Sequence, residues 1–230
     1  MDNAVFPSEQ IGHLYLYLQA KRALDTLIAL AVLVGFAPLW LAIALAVKLT
    51  SPGPVFFRQT QEVGKHGRIF TLFKFRSMYS NTSEQVNIEF QKNYITSNKP
   101  YQYMLDKQGR RQPVYKVIND SRVTPFGRIL RRTGLDEVPQ FINVLRGEMS
   151  VVGPRPATLY EYEHYQPRHK QRLSVIPGIT GLHQIHTRSS VGFEEMVKSD
   201  LDYIARRSLW LDLEIILKTP WAMFFGKGAC

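Results

Sequence analysis

A chain of 230 residues that is 45% hydrophobic and 21% charged is long enough for one domain with a real core and lacks the composition of a disordered segment. Its 29 Lys and Arg against 19 Asp and Glu give a formal charge of +10, so the partner is expected to be anionic: nucleic acid, a membrane surface or a phosphorylated substrate. The single cysteine, Cys230, excludes an internal disulfide framework, makes a reducing, cytoplasm-facing location the default, and does not read as a prenylation box, which needs three residues after it.

Ala23 to Val47 is an apolar run of 25 residues with one charge, Asp25. A helix of that length measures roughly 38 Å against about 30 Å for a bilayer core. It is too long and starts too late for a cleavable signal. Pro38 has no N–H and frees the carbonyl of Val34, which divides the run into arms of about 15 and 9 residues, neither a comfortable span. Lys21 and Arg22 precede the run and Lys48, Arg58 and Lys65 follow it, which keeps both ends on the cytoplasmic side. A re-entrant helix-break-helix fits these features; a single span kinked by proline fits the apolar pattern equally well.

Lys48 to Ser80 holds six basic residues against one acid, Arg122 to Arg146 holds five against two, and the last fifty residues are balanced. The positive face therefore lies next to the apolar segment, where anionic headgroups or a phosphate-bearing lipid are more natural partners than nucleic acid. "VFFRQTQEVGKHGRIFTLFKFRSM" predicts two aromatic-rich strands around a turn at Gly64 to Gly67. It carries no RNP signature and "GKHG" is not a P-loop, so no nucleic-acid partner is expected. Residues 81–120 are a polar insert, with short strands or a helix around "VNIEFQKNYI".

In "RRTGLDEVPQF", Pro139 is tolerated only in the first turn of a helix, so a helix through Phe141, Ile142 and Leu145 should begin near Asp136. Asp136 would then sit at the positive end of the helix dipole, as an N-cap followed by a first-turn acid, Glu137, or as one of a reactive pair. "VVGPRPATLYEYEHY" gives a Gly-Pro-Arg-Pro turn stiffened by Pro154 and Pro156, which would hold Arg155 in a narrow range of directions. That suits a bidentate grip on phosphate, although an exposed turn with a solvated arginine has the same pattern. "VIPGITGLHQIHTRSS" is a further Pro/Gly turn followed by Arg188; its His183/His186 pair has no other ligands nearby, so zinc is not expected. "LWLDLEIILKTPWAMFF" reads as an amphipathic helix with a Trp/Phe-rich tail that either lies in the membrane interface or packs on the core.

An N-terminal apolar hairpin with a central proline, then "KFRSM" (Lys74 to Met78), "DSRVTPFGRILRRTGLDEVPQFINVLRGEMSVVGPRP" (Asp120 to Pro156) and "PGITG" (Pro177 to Gly181) closely resemble bacterial monotopic phosphoglycosyl transferases. The resemblance runs from about Lys21 to the C-terminus, apart from the polar insert. It implies transfer of a sugar 1-phosphate from a nucleoside diphosphate sugar, UDP-linked by expectation, to polyprenol (undecaprenyl) phosphate, with release of a nucleoside monophosphate. The enzyme would be a phosphotransferase for substituted phosphate groups that opens glycoconjugate or polysaccharide assembly. Asp136 would be the nucleophile of a ping-pong reaction through an aspartyl-phosphosugar, and Glu137 its partner. Both would hold Mg²⁺. Arg131, Arg155, Pro154, Pro156, Arg188, Lys74 and Arg76 would form the phosphate and donor site. One departure stands out: the family commonly has Ser-Pro at the hairpin break, and this chain has Ala37-Pro38.

The expected fold is thus a helix-rich α+β, monotopic, membrane-embedded globule. It comprises an N-terminal segment (1–20), a re-entrant hairpin (21–50) broken at Pro38, and a cytoplasmic catalytic domain (51–230) with a small β-hairpin, amphipathic interfacial helices and the 81–120 insert. The expected location is the cytoplasmic face of a bacterial inner membrane, among membrane lipids; a homodimer is left open. A non-catalytic basic membrane scaffold is the rival class, which has no need of Leu-Asp-Glu beside paired arginines.

Overall fold

The computed structural model describes residues 8–80, 85–98, 100–105, 109–115, 117, 120–186 and 191–225. Helices α1 (Ser8–Gly35) and α2 (Ala37–Thr50) are bent by 64° where they join. Among the described residues no single helix is long and apolar enough to cross a membrane, but this bent pair is so by length and composition. Pro38 sets the break in the first turn of α2, and Phe36 leaves the helical range at φ −109°, ψ 21°. The indole N–H of Trp40 then donates to the carbonyl of Val32 at 2.8 Å, a polar tie across a bend that has no serine. Helix α1 runs unbroken through residue 21, so no structural boundary separates the expected 1–20 segment from the hairpin.

Strands β1 (Phe56–Val63) and β2 (Ile69–Phe75) form the expected antiparallel hairpin around a 3-10 turn at Lys65–Gly67. The insert holds α3 (Gln85–Ser97) and a second hairpin, β3 (Gln102–Leu105) with β4 (Arg111–Val114). Helix α4 (Pro125–Thr133) starts at Thr124, whose hydroxyl accepts the Gly127 N–H at 2.9 Å. It stops at Gly134, left-handed at φ 67°, where a Cβ would also collide with the methyl of Met223.

A 3-10 turn, Leu135–Glu137, and Pro139 separate this stop from α5 (Gln140–Arg146). The α-helix therefore begins four residues later than the expected start near Asp136, and neither acid is an N-cap. The tight turn after Gly134 takes up the residues that would otherwise have formed the first helical turn. Then follow β5 (Ser150–Val152), β6 (Ala157–Thr158), α6 (Leu159–His164), α7 (Pro167–Lys170), β7 (Gly178–Thr180), α8 (Leu182–His186), α9 (Phe193–Arg206) and α10 (Leu209–Phe225). β6 adds a third strand, in the order β2-β1-β6, and β5 pairs in parallel with β7. The expected C-terminal helix and aromatic tail are one helix that continues through Pro220.

Three apolar clusters organise these elements. Ala29, Val144, Met149, Val152, Tyr203 and Ile215 join α1, α5, β5, α9 and α10. Ile43, Val47, Phe75, Leu130 and Val138 join α2 to β2, α4 and the acidic turn. Ile95 of the insert packs with Val63, Ala157, Phe193 and Val197, so the insert helix is part of the body.

Between β2 and α5 lies one buried amide. Asn143 is fully buried; its Oδ1 accepts the Phe73 N–H at 3.2 Å and its Nδ2 donates to the Thr71 carbonyl and to Glu148 Oε2, both at 2.7 Å. Asn143→Ala strands two backbone groups of β2 and one carboxylate, and is expected to destabilise the fold by about 2–4 kcal/mol. Thermal unfolding of the purified variant against wild type checks this.

Candidate active site

Four separate stretches converge around the acidic turn. Lys74, near the end of β2, puts its Nζ 3.5 Å from Glu137 Oε1. Arg131, in the last turn of α4, donates from Nε to the hydroxyl of Ser77 at 2.9 Å, so the segment after β2 fixes that arginine. Asp136 is buried at 8% exposure, whereas Glu137 is partly open. Burial raises the pKa of Asp136, and the neighbouring charge of Glu137 raises it further; Lys74 and Arg131 pull it back.

The fourth stretch is the Gly-Pro-Arg-Pro turn. Ser150 N–H donates to the Pro177 carbonyl, Gly153 N–H to that of Thr180, and Gly178 N–H to that of Pro154, at 2.8–2.9 Å, so the turn and Pro-Gly-Ile-Thr-Gly lie backbone on backbone. A Cβ on Gly178 would run into the backbone of Gly153, which is why that position takes glycine. Behind the turn, fully buried Arg172 donates to the Arg155 carbonyl at 3.0 Å, to the Tyr165 hydroxyl at 2.8 Å, and to Asp200 Oδ2 from Nε at 2.8 Å. The backbone of Arg155 is thereby fixed while its side chain reaches the mouth of a cleft. Although Arg155 is exposed there, crowding of its guanidinium lowers its pKa, and the charges of Glu161, Glu137 and Glu62 outweigh that and raise it.

The cleft is lined by Lys74, Glu137, Arg155, Pro156, Gly178 and Ile179, together with Gln59, Glu62, Gln140 and Gln184. At about 110 Å³ it is smaller than the roughly 300–1,000 Å³ of a site that engulfs a whole ligand, so it suits a piece of a larger substrate, such as a diphosphate. Gln184 Oε1 is buried in its wall without a hydrogen-bond partner among the described residues.

Of the residues expected in the site, Lys74, Glu137, Arg155 and Pro156 line the cleft, and Asp136 and Arg131 are electrostatically coupled beside it. Pro154 is buried and takes part through its carbonyl. Arg76 does not take part: its guanidinium donates to the carbonyls of Pro52, Val47 and Ser51 and to the Ser51 hydroxyl, closing the C-terminus of α2. Arg188 lies outside the described residues. Glu62, Gln59, Gln140 and Gln184 gave no sequence signal of a role, although Gln140 and Gln184 stand inside or beside motifs that did. Among the described residues no group of three or more His, Cys, Asp or Glu is placed to hold a metal ion.

Comparison with known proteins bears on what this arrangement belongs to. The bacterial sugar transferase family matches residues 16–226. A UDP-glucose:undecaprenyl-phosphate glucose-1-phosphate transferase of Xanthomonas campestris pv. campestris is 41% identical over 221 residues, which is 93% of this chain and 40% of that protein. Galactosyl transferase CpsE of Streptococcus agalactiae serotype III is 40% identical over 94% of this chain and 44% of its own length. The chain thus spans less than half of those relatives. It covers 88% of the exopolysaccharide production protein ExoY of Rhizobium meliloti, at 39% identity over 91% of this chain. With a family match over almost its whole length and a relative of nearly equal extent, this chain belongs to the bacterial sugar transferase family.

Proposed function

We propose that this chain transfers a sugar 1-phosphate from a UDP-sugar to undecaprenyl phosphate, releasing uridine monophosphate, through a covalent intermediate on Asp136. The observation that carries this is a convergence of charged groups: Lys74, Glu137 and Arg155 line one small cleft, and Asp136 and Arg131 are electrostatically coupled beside it. Relatives named for UDP-glucose and for UDP-N-acetylgalactosamine acting on undecaprenyl phosphate supply the substrate class. A scaffold that only bound anionic lipid would have no use for a buried carboxylate facing another carboxylate.

In the first step an oxygen of Asp136 attacks the sugar-bearing phosphorus, the P–O bond to uridine monophosphate breaks, and that group leaves. In the second, an oxygen of the lipid phosphate attacks the same phosphorus and expels the Asp136 carboxylate. One phosphoanhydride replaces another, so no further energy source is required. Lys74 and Arg131 keep Asp136 anionic against the charge of Glu137, and Arg155 takes the charge on the transferring phosphate. The adjacent carboxylates of Asp136 and Glu137 fit Mg²⁺, which commonly takes one or two protein carboxylates and fills its shell with water and substrate phosphate. Bound there, Mg²⁺ would screen the carboxylates from the diphosphate.

The bent helix pair supports a monotopic site at the cytoplasmic face of a membrane. Its Leu27, Val34, Leu41 and Leu49 are open to solvent, as are Trp210, Leu217 and Trp221 of α10, an apolar surface for which lipid is the natural cover. Both flanks should then stay inside. Thiol reagent added outside intact cells should label neither the native Cys230 nor Asn3→Cys in a Cys230→Ser background; outside labelling of the Asn3→Cys chain alone would mean a spanning helix.

Asp136→Asn is expected to lower turnover by about 10³-fold or more, and Glu137→Gln by less, with both variants folded. With donor and Mg²⁺ but no lipid acceptor, wild type should release a burst of up to one equivalent of uridine monophosphate, and mass spectrometry should place a sugar phosphate on the Asp136 peptide. Arg155→Ala should slow the burst by about 10²–10³-fold without moving the adduct. No burst, with intersecting double-reciprocal plots, would point to direct transfer between donor and lipid.

A further inference from the structure

Strand β1 contains an irregularity that changes which residue faces the cleft. Gln59 is paired with Leu72, and regular alternation would set Gln61 opposite Phe70 on the same face. Instead Glu62 stands opposite Phe70, with one extra residue accommodated between Gln59 and Glu62. Gln61 takes up the bulge at φ 70°, a left-handed backbone that a non-glycine residue rarely adopts. Without the bulge Glu62 would point to the opposite face of the sheet. With it, Glu62 joins Gln59, Leu72 and Lys74 in the cleft wall at 4% exposure. Gln59 Nε2 donates to Glu62 Oε1 at 2.5 Å, and β6 pairs Thr158 with Glu62, two residues after Pro156.

A carboxylate is an odd lining for a cleft read as a diphosphate site. We propose that Glu62 is a positioning residue, an internal counter-anion that faces Arg155 and Lys74 before the donor binds and yields them to the donor's diphosphate by taking up a proton from solvent. The charges facing it come from each neighbouring element: Lys74 on β2, Arg155 on the Gly-Pro-Arg-Pro turn, Glu161 on α6, and Glu137 across the cleft. Burial, and then Glu161, push the carboxyl of Glu62 up to about 7 against the pull of Arg155 and Lys74. A diphosphate on those two cations removes that pull and adds negative charge, which drives the carboxyl further up. The sign follows: donor binding takes up a proton at pH values above about 7, so affinity is highest below pH 7 and falls as pH rises.

This inference rests on the donor-binding reading above, and the experiment separates the two. Asp136→Asn is used throughout, to stop turnover and remove the titration of Asp136. Binding of UDP-glucose, UDP-galactose and UDP-N-acetylgalactosamine with Mg²⁺ is measured by calorimetry between pH 6 and 9, in two buffers of different ionisation enthalpy. For whichever donor binds, affinity should fall up to tenfold per pH unit above pH 7, with net proton uptake, and adding Glu62→Gln should abolish both while leaving binding measurable. Pure structural support by Glu62 would lower affinity equally at every pH. Binding that is independent of pH and buffer in the Glu62 protein would overturn the inference and leave the donor reading intact; no binding of any donor would overturn both.

Discussion

Tyr17, Lys21, Arg22 and Asp25, on a single stretch of α1, fix the bent helix pair, the acidic turn and the arginine turn in one frame. Asp212, fully buried on α10, accepts from Tyr17 and Lys21 at 3.0 Å on one oxygen and from Tyr203 at 2.7 Å on the other. The residue after Lys21, Arg22, donates to the carbonyls of Val144 and Leu145, at the negative end of α5. Asp25 accepts the buried Val151 N–H at 3.0 Å, which fixes β5 just ahead of the Gly-Pro-Arg-Pro turn. Hydrogen bonds to charged groups contribute about 1.5–3 kcal/mol each, and losing one partner of a buried ion costs about 3–5 kcal/mol. Apolar contact alone would let the helix pair slide or rotate against the body. These directional bonds set its angle, and with it the position of α5 and of the acids ahead of that helix.

A second set of polar contacts connects α2 to the cleft. Within five residues, Lys74 reaches toward the acids, Arg76 turns the other way into the last carbonyls of α2, and Ser77 holds Arg131. The exit of α2 and two cations of the site are thus mechanically one piece. Arg155 is secured from behind, where Arg172 and Asp200 form a fully buried ion pair. Such a pair is weak evidence for net stability, since desolvation offsets most of its Coulomb gain. Its donation to the Arg155 carbonyl gives it a positioning role instead: it defines where the turn lies and leaves the arginine's own guanidinium free to meet the cleft.

Local pattern carried much of this. The proline break and the Gly64–Gly67 turn follow from backbone chemistry that short windows record, a missing N–H and glycine at a tight turn, whereas the insert was open to short strands or a helix and holds a helix at Gln85–Ser97. The converging site residues, by contrast, were legible only through the resemblance to a known family, because Lys74, Asp136 and Arg155 are far apart in sequence. Three features had no local signature. Asp25 looked like an isolated charge in an apolar run; Lys21 lies 4.0 Å from it one turn earlier, but the N–H that it accepts belongs to Val151, 126 residues on. Arg76 shares a motif with Lys74 yet serves the fold, because β2 ends between them and the chain changes direction. Glu62 reaches the cleft through an extra residue in a strand, which shifts the alternation that a pattern reading takes as regular. The late start of α5 has a similar origin: Pro139 permits a helix from Asp136 onward, and the left-handed stop at Gly134, with Met223 packed on it, makes the chain use a 3-10 turn first.

The formal charge of +10 also takes a different meaning once the side chains are placed. Sequence reading set a positive face beside the apolar segment, and exposed Arg58 and Arg146 are part of it. The cleft itself is not strongly positive: Lys74, Arg131 and Arg155 are met by Asp136, Glu137, Glu62 and Glu161. A nearly neutral cleft beneath a positive surface separates two tasks. The surface field attracts anions over a distance of about one Debye length, roughly 8–10 Å, without regard to their identity. Inside, an arriving diphosphate gains only what it can take from cations already engaged by carboxylates, so occupancy depends on displacing an internal anion, protonating it or bringing in a divalent cation. Capture by net charge alone would favour any phosphate. A site whose cations already face carboxylates favours the ligand able to rearrange those charges, and that requirement is set by the handful of carboxylates the fold has placed around Lys74 and Arg155.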